Sequence, residues 1–313
     1  MEVLEVGAGE FARVVELPYH VFGSAAFNDL NRERAEEVFY LLFREGKFRL
    51  GIVGGKKEHG FFSPFSAPFG GFSFISSNIR LQYIEEAVKS LALWAGERNF
   101  DSISITLPPS FYDDAFISKQ VNCLWRLGFQ IAKVDLNYSF CLEEFDDHYS
   151  EKIWYNARKN LRIAMEADLQ FISCHTTEEK TEVYHIIQKN RESRGFPLRM
   201  TLDQVLDTTR TIPADFFIVK DPSGNSIASA IVFHVAPDVV QVIYWGDLHE
   251  YGKLKTMNFL SYRVFEHYSQ QGMKRVDLGP STDQSVPNYG LAEFKESIGC
   301  TIDPKFTFTS NLD

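Results

Sequence analysis

Long apolar runs, paired cysteines and surplus positive charge are all missing from this sequence. No stretch of its 313 residues approaches the roughly 18 consecutive apolar residues that a membrane-spanning helix needs. Met1 to Phe11 lack a basic segment leading into an apolar one, so no secretory signal is expected and the expected location is cytoplasmic. The four cysteines, Cys123, Cys141, Cys174 and Cys300, are scattered without paired spacing. That argues for reduced thiols, against a disulfide framework, and against a structural metal. Lys and Arg number 32 against 42 Asp and Glu, a net charge of −10. So acidic a chain is a poor platform for DNA, although a local basic patch would stand out against that background. There is no G-x-x-x-x-G-K-[ST] loop, dinucleotide fingerprint, H-E-x-x-H or G-x-S-x-G, which removes common rival chemistries. No tightly bound cofactor is expected.

What is present suits two domains of ordinary size, and the 28 phenylalanines predict aromatic-rich cores. The acidic stretch Glu143 to His148 resists burial and is the expected connection, giving domains 1–145 and 146–313. In the first, Lys47 to Gly54 and Gly60 to Phe65 are expected strands joined by a turn at Gly54-Gly55-Lys56-Lys57. Ile84, Val88, Leu91, Ala92 and Ala95 recur at helical spacing, Ser102 to Leu107 alternates as a strand, and Ile117, Val121, Leu124 and Trp125 share a helix face. In the second, a helix from about Ser150 buries Ile153, Ala157, Leu161 and Ala164. A strand at Leu169–Cys174, helices at Glu178–Arg194 and Leu202–Arg210, and three strands at Asp215–Lys220, Ile227–Val235 and Val239–Trp245 follow. A long helix over Gly252–Gln271, a strand at Arg275–Leu278, a helix near Tyr289 and a strand at Lys305–Thr309 complete the order.

That order is the one expected of the GCN5-related N-acetyltransferase (GNAT) fold, and the first half shows a weaker version of it. Ala157-Arg158-Lys159-Asn160-Leu161-Arg162-Ile163-Ala164 resembles the basic opening helix of FemAB-like acyltransferases. Asn190 to Pro197 resembles their Arg-containing segment, and Asp277-Leu278-Gly279 followed by Phe294-Lys295-x-x-x-Gly299 resembles their C-terminal signature. The resemblance is good over about Ser150 to Gly299 and loose before it. It implies an α/β protein of tandem acyl-CoA N-acyltransferase (GNAT-like) domains, each a mixed central sheet flanked by helices, the first degenerate and acceptor-shaping, the second catalytic. It further implies transfer of an acyl or aminoacyl group to an amine of a cell-envelope precursor, a peptidoglycan peptide or an amino sugar. The donor would be acyl-CoA or aminoacyl-tRNA. One departure bears on the donor: His249 to Thr256 carries one Gly and two lysines where acyl-CoA users carry an Arg/Gln-x-x-Gly-x-Gly/Ala loop. The alternative reading is a non-catalytic binding protein that keeps the fold.

Lys295 is the first catalytic candidate. One position from a core Phe, it is expected to project from the packed face, and the resemblance places it near acceptor phosphates or developing negative charge. Asp247 and Tyr289 are the acid–base candidates beside it, ahead of His249 and Asp283. Arg158, Lys159 and Arg162 share a helix face and could bind phosphate or an RNA backbone; a solvated face explains them equally well. Arg191 and Arg194 are candidates for phosphate or carboxylate recognition. Asp277 would bind substrate or brace the Gly279-Pro280 turn. Gly252, Lys253 and Lys255 are the donor-binding candidates. His234, in an apolar strand, reads as a satisfied core histidine. Ser63 to Phe72, dense in Pro and Gly, reads as either an acceptor-shaping loop or a core connection.

Overall fold

The computed structural model describes residues 1–196 and 198–312; Pro197, which closes the Arg-containing segment, and Asp313 lie outside the described residues. The chain forms two compact units. Unit 1 comprises Met1–Leu136, Thr282–Val286 and Asp303–Asp313, and unit 2 comprises Asn137–Ser281 and Pro287–Ile302.

Unit 1 begins with β1 (Glu2–Val6), α1 (Ala8–Val14), α2 (Ala25–Leu30) and β2 (Glu37–Glu45), then the meander β3 (Lys47–Lys57) and β4 (Gly60–Ser63). β5 (Phe72–Phe74), α3 (Leu81–Glu97), β6 (Ser102–Thr106), α4 (Asp114–Arg126) and β7 (Gln130–Cys141) follow. β4 and β6 run parallel across the α3 crossover, whereas β1, β2 and β3 pair antiparallel. The expected turn at Gly54–Lys57 is instead strand. β3 continues to Lys57 and the chain reverses at Glu58, whose φ is +54°. The glycines serve packing: a Cβ on Gly54 would stand 2.1 Å from the Phe61 ring, and one on Gly55 would stand 2.7 Å from that of Phe65. Trp125, expected on the buried face of its helix, is 58% exposed; Phe116, Ile117, Cys123 and Leu124 form that face.

Unit 2 takes the last five residues of β7 and then α5 (Tyr149–Lys152), α6 (Tyr155–Met165), β8 (Gln170–Cys174), α7 (Thr177–Ser193) and α8 (Leu202–Thr208). Next come β9 (Ala214–Lys220), β10 (Ser226–Ala236), β11 (Val239–Asp247), α9 (Thr256–Gln270), β12 (Arg275–Pro280), the small hairpin β13 (Thr282–Asp283) and β14 (Val286–Pro287), and α10 (Tyr289–Ser297). Its sheet runs β7-β12-β11-β10-β9-β8. Here too one parallel pair, β11 with β12, spans a crossover helix, α9, and every other pairing is antiparallel. Finally β15 (Thr301–Asn311) returns to unit 1 and pairs antiparallel with β6, giving the order β1-β2-β3-β4-β6-β15. The strand orders of the two units therefore repeat one plan, with β5, which pairs with β3, added in unit 1.

The boundary expected after Phe145 falls inside unit 2. Lys152 neutralises Glu144 and Asp146, and Phe145 packs against the unit 2 core. A carboxylate run that shares a lysine can lie against a domain rather than between two. The helix expected from Ser150 is broken in two, because Ile153 and Trp154 are extended and the Trp154 amide bonds the Ser297 carbonyl. The long helix expected from Gly252 begins four residues later. His249–Leu254 is a 3-10 turn and Lys255 is left-handed, with φ +57°.

Candidate functional site

The second unit's parallel ladder is short. β11 and β12 register only at Val239↔Arg275, Val240↔Val276 and Gln241↔Asp277. Beyond them β11 continues to Asp247 and β12 to Pro280, so the strands part and their facing backbone groups leave the ladder. Opposite β10, Ile231 pairs with Tyr244 and Val232 with Val242, so Ile243 is the extra residue of a bulge just where the strands separate. A parallel sheet that opens this way offers unpaired backbone donors to a ligand's carbonyl, with the head of the crossover helix close by.

A buried polar cluster holds the vertex. Asp277 is wholly buried. Its Oδ1 accepts from Asn137 Nδ2 at 2.7 Å and from the Gly279 amide at 2.8 Å, and its Oδ2 accepts from Gln241 Nε2 at 2.7 Å. The Gly279 bond ties the carboxylate to the turn at Gly279-Pro280. Asn137 and Gln241 were not among the sequence candidates. The signal for Gln241 was a lone amide in the apolar run Val239-Val240-Gln241-Val242.

At the far end of β11, Asp247 ties three elements together. Its Oδ2 accepts from Thr256 Oγ1 at 2.7 Å, its Oδ1 lies 3.6 Å from Arg194, and its carbonyl accepts from Asn190 Nδ2. Gly246 is required there, since a Cβ would stand 2.6 Å from the Asn190 side chain. Arg191 is half-buried on the same helix end. Burial holds its guanidinium below the ordinary arginine value, Arg194 and Arg199 push the same way, and Tyr244 opposes. Among the described residues no carboxylate pairs with Arg191. Gly252, Lys253 and Lys255 lie on the 3-10 turn that enters α9. That turn binds its own amides, Tyr251 to Leu248 and Lys255 to Gly252, and a Cβ on Gly252 would meet nothing, so no close backbone approach fixes glycine there. Beside the turn is a polar groove of about 490 Å³ lined by Glu182, His185, Lys189, Asn225, Leu248 and Tyr251.

Lys295 departs from expectation. It does not project from the packed face: it is 1% exposed, and its Nζ donates to the carbonyls of Leu278, Gly279 and Pro280 at 2.9, 2.9 and 3.1 Å. A buried ammonium needs acceptors, and the end of β12 supplies three, so the side chain turns inward. The neighbouring Cys300 thiol is pushed up to about 12, mainly by burial, with Lys295 opposing and Asp277 reinforcing. Tyr289 is the reverse case, 79% exposed at the start of α10. Asp283 and His249 are exposed. Arg158, Lys159 and Arg162 lie on the exposed side of α6. His234 is satisfied by Asp215 at 2.7 Å, and Tyr268 donates to the same carboxylate.

In unit 1 the matching parallel pair, β4 with β6, is registered from Gly60↔Ser102 to Ser63↔Ile105. The chain then folds back over the place where the strands would part. The Gly70 amide bonds the Thr106 carbonyl, and the Gly71 amide bonds Ser63 Oγ.

Two units of one strand plan, each with a parallel pair bridged by a helix, are a tandem architecture, and solved structures share it. FemX superimposes with a TM-score of 0.72 at 12% identity, covering 100% of this chain and 98% of that one. L-PGS from Bacillus licheniformis gives 0.64 at 10% identity, with 96% and 90% covered. The tandem GNAT protein from the clavulanic acid biosynthesis pathway gives 0.52 at 10% identity, with 100% and 98% covered. This is the tandem GNAT-like fold. No family model matches the sequence, and no curated protein matches it significantly. Identities this low carry the fold alone. No described helix of this GNAT-like chain is long and apolar enough to cross a membrane, and no described group of His, Cys, Asp and Glu could hold a metal ion.

Proposed function

We propose that the chain is an acyl- or aminoacyltransferase acting on an amine of a cell-envelope precursor, a peptidoglycan peptide or an amino sugar, with unit 2 holding the chemistry. The observation that carries this reading is the opening between β11 and β12 after Gln241 and Asp277, with the Ile243 bulge beside it. The donor's carbonyl would lie against the freed backbone of β11, its anionic part toward Lys253, Lys255 and the head of α9. The acceptor nitrogen attacks the carbonyl carbon. A C–N bond forms, the C–S bond of an acyl-CoA or the C–O bond of an aminoacyl ester breaks, and the amine's proton passes to a carboxylate and from there to the departing sulfur or oxygen, giving the free thiol or alcohol. Asp247 is our choice for that carboxylate, since Thr256 and Arg194 occupy it without exhausting its lone pairs. Arg191 and Arg194 would hold an anionic group of the substrate, and Tyr289 would contact the acceptor. Lys295 and Asp277 fix β12 as one wall of the opening.

The test is calorimetric titration with coenzyme A and acetyl-CoA, alongside single-turnover transfer from labelled aminoacyl-tRNA to amino-sugar nucleotides and peptidoglycan peptides. Transfer from either donor is expected, and Asp247→Asn should lower it by about a hundredfold or more while leaving the melting temperature within a few degrees. No binding and no transfer with either donor would overturn the reading. One observation favours the second reading, a binding protein without turnover: Lys295, Asp277 and Asp247 all spend hydrogen bonds inside the protein.

A further inference from the structure

Several described cations of this acidic chain sit beside carboxylates. Arg32 pairs with Asp29, Arg44 with Glu2, Lys89 with Glu85, Lys152 with Asp146, and Lys274 with Asp238. α6 instead gathers three cations outside any such pair on one exposed face. Tyr155, Arg158, Lys159 and Arg162 follow one another at helical i, i+3, i+4 and i+7 spacing on the exposed face opposite buried Ala157, Leu161 and Ala164. Among the described residues none of the three cations makes an ion pair; the Arg158 guanidinium reaches only the Glu151 carbonyl, at 3.5 Å. Large apolar side chains flank them. Tyr155 is 79% exposed, with Trp154 before it and Met165 three residues beyond Arg162 also exposed. Among the described residues of α6 and its C-cap, Glu166 is the carboxylate at the end of the stripe, and the exposed Glu151 of α5 precedes it.

We infer that this face of α6 docks the protein on an anionic lipid bilayer. The cations would meet headgroup phosphates while Trp154, Tyr155 and Met165 enter the interfacial layer. This does not depend on the transfer reaction. The charge is complementary to the anionic surface, and the apolar flanks match what an interfacial helix inserts. A convex helix suits a plane of headgroups, whereas single-stranded nucleic acid is held in a groove that tracks its backbone.

The test is sedimentation of the full chain with phosphatidylcholine vesicles containing 30 mol% phosphatidylglycerol, or none, at low and high salt. The wild type is expected to bind only the anionic vesicles and to release as salt rises. Each cation near such a surface accounts for about fivefold in affinity, so reversing Arg158, Lys159 and Arg162 to Glu should cost roughly a hundredfold or more. Tyr155→Ser should weaken binding several-fold, and Lys47→Glu, in unit 1, should leave it unchanged. All these side chains are exposed, and an unchanged circular dichroism melt confirms folding. Binding that ignores phosphatidylglycerol, binding that survives the triple reversal, or displacement from vesicles by equimolar RNA through the same residues would each overturn the proposal.

Discussion

His20 is a buried ionisable residue of unit 1. It is buried among the rings of Tyr19, Phe22, Phe69 and Tyr112, and neither ring nitrogen has a partner in hydrogen-bond geometry. Burial brings the imidazole down to about 3, the Gly70 backbone opposing weakly. With the folded value below the unfolded one, the ring is neutral in both states above about pH 6.5 and is then silent. As pH falls from there toward 3, only the unfolded chain takes up the proton, and stability drops by about 1.4 kcal/mol per pH unit. Between pH 7 and pH 4 the loss from this residue is about 3 kcal/mol. His20→Phe should remove it, and urea midpoints at the two pH values will read the difference; an equal acid loss in both proteins would discard the account. Lys295 is the matching case in unit 2. Lys295→Met keeps the stem but strips three buried carbonyls of their donor, so denaturant unfolding should show a loss of about 3 kcal/mol or more. Neither burial could be read from sequence. A lysine beside a core Phe looks outward until the three carbonyls at the end of β12 are seen to converge on it, and Asn137 meets Asp277 only across 140 residues of chain.

Elements were legible where periodicity or turn residues mark them and illegible where neither does. The helices α3, α7 and α9 and the strands β9, β10 and β11 carry clear periodicity or clear turn punctuation, and the sequence places them within a few residues. β2 carries no such mark, because Phe39 to Phe43 is a continuous buried run without alternation. The two glycines of β3 were misread as a turn, since only the folded Phe61 and Phe65 rings show why side chains are forbidden there. The head of α9 was misjudged for a different reason. A left-handed residue has no sequence marker unless it is Gly or Asn, and here it is Lys255. That conformation carries a cost, and Lys255→Gly should raise stability by about 1 kcal/mol. Thermal denaturation checks it. If the lysine also binds the donor's anionic part, the same variant should bind donor more weakly while melting higher.

The plan of the whole molecule was legible as an order of elements but not as a division of the chain. Periodicity showed two copies of one arrangement. It could not show that β15, the strand following α10, pairs with β6 of unit 1 from Thr307↔Thr106 to Asn311↔Ser102. A cut at Phe145 therefore separates a strand from its sheet. Deleting residues 303–313 removes the β6 partner and the buried Phe308 side chain, leaving β6 as a bare edge. The expected result is loss of protection at β6 and β4 amides in hydrogen exchange, with self-association, while β9 to β11 stay protected. Uniform protection in the truncated chain would show that unit 1 does not need the strand.

The placement of β15 also sets an order of events during synthesis. Domains ordinarily fold in the order in which they leave the ribosome. Here the unit made first must wait for its sixth strand while Asn137 to Ile302 is translated, a delay on the order of ten to thirty seconds at ordinary elongation rates. Unit 2 has all its strands once β12 has emerged, because the end of β7 precedes it. The half translated second is thus the half able to finish first. The nascent first half, with β6 uncovered, is where a chaperone or a slowed stretch of codons would matter most to the yield of folded protein.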